Sequence, residues 1–197
     1  MKRCPANLAL AFAVVIVTFD TSWSDQQALQ KPTKVSIIIR GAHCDPGVKI
    51  LRATLGKLKG IKYRADDIEK GSKPKYFTDP FIVEIADTRK TNIGALATVV
   101  SEAKTPHRDD VPPKVNLVLY TPDRIDEPSV MALRSSLRDV NGLEVDAPGG
   151  LGGFPKRGYY WIQLENAGGA ALSDIMTAAK KSGLKLSLQK SPDGGNR

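Results

Sequence analysis

Thiols and imidazoles are scarce in this chain. Its 197 residues include two cysteines, Cys4 and Cys44, and two histidines, His43 and His107. Two thiols cannot build a disulfide scaffold or a four-thiolate metal site, and two imidazoles cannot build a three-histidine catalytic zinc site. Aromatic content is also low, at 6%, and no apolar run reaches the ~20 residues a bilayer-spanning helix needs. A P-loop is missing too: the glycine-rich stretch Pro148–Pro155 lacks the Lys-Ser/Thr pair and leads into a strand, so it reads as a hairpin loop. No nucleophile elbow accompanies the histidines, so the chain is not expected to be an enzyme. Hydrophobic residues at 41% and charged residues at 25% exclude disorder throughout.

The N-terminus reads as an export signal over residues 1–24. Lys2 and Arg3 form a basic start, and Leu8–Val17 is an apolar run of signal length. Ser22 and Ser24 are small residues placed for cleavage before Asp25. An uncleaved anchor is the alternative. Cys4 precedes the apolar run, so it does not fit a lipid-acceptor cysteine. The expected product is periplasmic or extracellular, does not associate with a membrane once cleaved, and keeps Cys44 as its one cysteine. The net charge of +8 favours anionic partners, although Lys and Arg are scattered.

Beyond a polar linker, two stretches share one rhythm. Val35–Arg40 predicts a strand, and Val48, Leu51, Leu55 and Leu58 predict a helix that Gly60 closes. Ile61, Tyr63 and Ala65 alternate as a second strand, and Phe81, Val83 and Ile85 as a third. Ile93, Leu96, Val99, Val100 and Ala103 mark a second helix. The pattern returns some 80 residues later, with a strand at Val115–Leu119, a helix face at Val130–Val140 and a strand beginning at Leu143 and Val145. It continues with a strand at Tyr160–Leu164, a helix at Leu172–Ala179 and a final strand at Leu184–Leu188. This predicts an α+β chain of two tandem ferredoxin-like domains, each split βαβ, β-α-β-β-α-β, over residues 33–108 and 113–190. The first repeat shows no fourth strand, because Thr105–Lys114 carries three prolines and several charges. Either that strand is degenerate or the two halves share an edge.

Gly41–Gly47, followed by Val48, Leu51, Leu55, Gly60 and Ile61, resembles the heavy-metal-associated domain of copper chaperones and metal-transporting ATPases. The family pattern is Gly-Met-x-Cys-x-x-Cys, an apolar helix face, then Gly-Val. Cys44 matches the first cysteine; Gly47 stands at the second, and Ala42 at the methionine. The resemblance implies binding of a soft or borderline transition metal ion, Cu(I) or Zn(II), through Cys44. His107, His43 or the Cys44 thiolate of a second copy, in a homodimer, would complete the ligand set. The second repeat has Thr121–Glu127 in the equivalent loop, without thiol or imidazole, and is expected to lack a metal motif.

Lys156–Ile162 partly resembles the RNP1 strand of RNA-recognition domains, with Tyr159 and Trp161 projecting opposite Tyr160 and Ile162. Val115–Tyr120 shows no matching RNP2 pattern, and export removes the usual RNA, so no nucleic acid is expected. Tyr159 and Trp161 are instead expected to meet the other half or an exported partner protein. A metal-free protein-interaction module is therefore the alternative to metal binding.

Overall fold

The computed structural model describes residues 31–40, 45–63, 80–104, 113–154, 157–165 and 168–190. Their elements run β1 (Thr33–Arg40), α1 (Asp45–Leu55), β2 (Ile61–Tyr63), β3 (Phe81–Ile85), α2 (Ala95–Ser101), β4 (Lys114–Tyr120), α3 (Glu127–Leu137), β5 (Leu151–Phe154), β6 (Tyr159–Gln163) and α4 (Leu172–Lys180). The expected signal over 1–24 lies outside the described residues, as does Ala65.

The strands form one antiparallel sheet in the order β2-β3-β1-β4-β6-β5. Exchanging β1 with β4, β2 with β5 and β3 with β6 turns this order into its own reverse. The halves are thus topologically equivalent and meet at β1 and β4. The register places Ile37 opposite Leu117 and Ile39 opposite Val115. The two halves therefore share an edge, while residues 105–112, in the stretch where the fourth strand of the first half was expected, lie outside the described residues.

Strand alternation sorts the side chains onto two faces. Val35, Ile37 and Ile39 of β1, Val115, Leu117 and Leu119 of β4, and Tyr160 and Ile162 of β6 point the same way. Leu51 and Leu55 of α1, Leu96 and Val100 of α2, Leu133 and Leu137 of α3, and Leu172 and Ile175 of α4 pack against them in one core cluster that spans both halves. Each such aliphatic side chain contributes about 1.5–3 kcal/mol by leaving water. Helix α3 begins where Asp126 accepts a hydrogen bond from the Ser129 amide at 3.0 Å, with proline in its first turn.

Two expected strands come out differently. Leu143 and Val145 are buried in the core, but Leu143 makes only an isolated bridge, to Leu164. The edge strand of the second half is instead Leu151–Phe154, inside the glycine-rich stretch expected to be a loop. The chain leaves the edge of β6 after Glu144, makes an excursion, and returns. Arg138 clamps that excursion by gripping Asp146 at 2.9 and 3.2 Å. This hydrogen bond draws the Asp146 carboxyl below the ordinary carboxylate range.

The segment Leu184–Leu188 alternates as expected, with its leucines partly buried against the core. Its only described bridge is Ser187 to Tyr120. The reason is occupancy, since β1 already pairs with β4 at Lys114–Leu117 and leaves only the Tyr120 end open. Gln189 fits the same gap and donates to the Lys34 carbonyl at 3.3 Å.

A second seam joins the halves on the helical side. The Ile93 amide donates to the Ala170 carbonyl at 2.8 Å, and the Ser173 amide donates to the Thr88 carbonyl at 3.1 Å. Gly94 of the first half approaches the Gly168 backbone here, and within the second half Gly142 and Gly168 come so close that a Cβ on Gly168 would overlap the Gly142 Cα. Gly168→Ala should therefore cost about 1–3 kcal/mol, read as a lowered urea midpoint. Next to it, Gly169 has only Asn141 Nδ2 nearby, at 3.6 Å from an added Cβ, so Gly169→Ala should leave the midpoint unchanged or raise it slightly. Equal effects at both positions would contradict the close approach.

Candidate binding face

The face of the sheet opposite the core is covered by none of the described helices, all four of which pack into the core cluster. The same alternation that points Tyr160 and Ile162 inward sends Tyr159, Trp161 and Gln163 of β6 to this second face. Asn116, Val118 and Tyr120 of β4 lie opposite them in register, and Ile38 of β1 lies opposite Asn116. Ile38, Val118 and Tyr159 form a small buried cluster, with Tyr120 and Trp161 packed against it.

Four rings interlock here. Phe154 and Trp161 have centroids 4.6 Å apart and are tilted by 32°. Tyr159 meets Tyr120 and Phe154 edge to face, at 5.9 and 5.6 Å. The Arg157 guanidinium lies over the Phe154 ring, 5.6 Å from its centroid. Such ring pairs contribute about 0.5–1.5 kcal/mol beyond their burial. Phe154 remains 39% exposed. The local sequence explains the stack, because Trp161 pairs across strands with Gly152 and its indole occupies the space a side chain there would fill.

Polar atoms interrupt the apolar cluster. Asn116 and Gln163 face each other across β4 and β6 and are 2% and 3% exposed. Their carbonyl oxygens, Oδ1 and Oε1, have no hydrogen-bond partner among the described residues, nor does the Tyr159 hydroxyl. An unpaired buried acceptor costs about 1–3 kcal/mol. The face therefore combines a partly exposed aromatic surface with amide side chains buried beneath it.

Of the residues singled out in the sequence, Tyr159 and Trp161 belong to this face. His43, Cys44 and His107 lie outside the described residues, which include neither cysteine nor histidine. Among the described residues, no group of three or more potential metal-ligating side chains comes together. Sequence reasoning missed Tyr120, Phe154, Asn116 and Gln163. For β4 the signal was present in part, since Val115, Leu117 and Leu119 alternate with Asn116 and Tyr120 although Val118 interrupts the pattern; Phe154 was hidden by the glycines before it. The chain matches no family model, no curated protein and no solved structure.

If Gly152 holds the indole in place, Gly152→Ala should displace it. In a Trp23→Phe background Trp161 is the only tryptophan, so its emission should shift to longer wavelength. An unchanged spectrum would show that the ring does not depend on the glycine.

Proposed function

We propose that this chain is a non-catalytic, exported interaction module that docks a partner protein on the helix-free face of its sheet. Each half is read as a ferredoxin-like unit, and the palindromic strand order supports that reading. The observation that carries the function is the cluster of Tyr120, Phe154, Tyr159 and Trp161 on a sheet face that no described helix covers, with Phe154 exposed. Aromatic anchors are enriched at protein interfaces and supply a large share of their binding energy. Replacing Phe154 with a benzophenone amino acid should give a discrete protein adduct on irradiation of cells that produce the chain. The same replacement of Met131, 53% exposed on α3, should give none. No adduct, or the same adduct from both positions, would remove this reading.

The loop at Cys44 favours a second reading, binding of Cu(I) or Zn(II). Strand β1 ends at Arg40 and α1 begins at Asp45, so residues 41–44 join strand to helix. That is where the heavy-metal-associated resemblance puts its metal-binding loop. Cys44 would supply a thiolate, completed by His107, His43 or the thiolate of a second copy. Ligand deprotonation would make affinity fall as pH drops. Titration with Cu(I) under reducing conditions should show binding that Cys44→Ser abolishes. One ion per chain would indicate a single-chain site and half an ion a bridged dimer; binding equal to that of the variant would retire the metal.

A further inference from the structure

We infer that the docked partner is a second copy of this chain, joined edge to edge through β5 so that the two sheets become one. The inference rests on the docking reading above and names the partner. Strand β5 ends the sheet order, and nothing among the described residues pairs with its outer edge. The Gln163 amide donates to the Gly150 carbonyl at 2.6 Å. Antiparallel alternation then turns the main-chain groups of Gly152 and Phe154 toward β6 as well, and those of Leu151 and Gly153 outward. An open strand edge is a template for pairing, which proteins blunt with charge, proline or a cover. At the far side of the sheet, β2 carries Lys62. Strand β5 reads Leu-Gly-Gly-Phe, with neither charge nor proline.

A two-fold axis beside Gly152 uses both outward residues. Leu151 and Gly153 of one copy then exchange main-chain hydrogen bonds with Gly153 and Leu151 of the other, and Gly152 faces its own counterpart. The helix-free faces of the two copies become continuous. The Trp161 indole already lies over Gly152 of its own chain, so the two indoles come together over the axis with no side chain between them. Phe154, 39% exposed in the single chain, falls opposite Gly150 of the second copy. The same register supplies charge complementarity. Arg157 lies over Phe154, and Glu144 adjoins Gly150, where an added Cβ would meet the Glu144 carbonyl. Arg157 of each copy therefore approaches Glu144 of the other. Arg157 is exposed and Glu144 half-buried, and neither has an ion-pair partner among the described residues. Because the contact is self-complementary, one pairing closes both β5 edges.

The test is sedimentation equilibrium of the purified chain with reductant and chelator present, which keeps Cys44 out of any assembly. A reversible monomer–dimer equilibrium is expected. Arg157→Glu and Glu144→Arg should each weaken it about tenfold, and the double variant should restore it. If net charge governed association, the two single variants would move it in opposite directions, because one lowers and the other raises the charge of a basic chain. That result would overturn the inference. So would a chain that stays monomeric up to its solubility limit, or a loss at unchanged urea midpoint that the double variant does not restore. In cells, the Phe154 adduct should have twice the mass of the chain. An adduct with a different protein would keep the docking reading and remove the second copy. A purified dimer that obeys the charge cycle, with no adduct in cells, would keep the pairing and remove the docking reading.

Discussion

The pairing of β1 with β4 is the constraint on which the rest of the architecture depends. Each of these strands begins its own repeat, and each needs a neighbour on the edge that its own β3 or β6 does not cover. Buried main-chain N–H and C=O groups must find partners. By pairing with each other at Ile37–Arg40 and Lys114–Leu117, the two strands meet that demand together. The two halves thereby become one six-stranded sheet with one continuous core.

Much follows from this single contact. Because β1 occupies most of the β4 edge, the leucine-rich segment after α4 secures only the Tyr120 end. The strand order also brings the loops before α2 and α4 together, where Gly94 and Gly168 permit backbone-to-backbone approach. A side chain in that seam would separate two elements that the sheet pairing has already placed in contact.

The candidate face arises from the same geometry. Helices on one side of an antiparallel sheet leave the other side to be explained. Here that side is neither uniformly polar nor uniformly apolar. It carries interlocked rings, two unpaired amide carbonyls and cations at its margins. The exposed Phe154 edge of the ring cluster is the physical reason for proposing that the face binds a partner. The Cys44 reading is a separate argument, because it rests on the sequence pattern Gly41–Gly47 and not on these rings.

Periodicity made most elements legible in the sequence. The alternation of Val35, Ile37 and Ile39 and the helical spacing of Leu133 and Leu137 are local, and they determined strand, helix and inward face. The opposite projections of Tyr159 and Tyr160 were legible for the same reason. Strand partners were not legible, because hydrogen bonding between β1 and β4 joins residues some 80 positions apart and leaves no local pattern. Nor was the edge strand at Leu151–Phe154, where Gly152 and Gly153 erase the usual signal and the Trp161 ring supplies the missing side-chain volume from another strand. Local composition decided which residues could be strand, helix or face; only long-range pairing decided that two repeats became one sheet and that rings from three strands met on it.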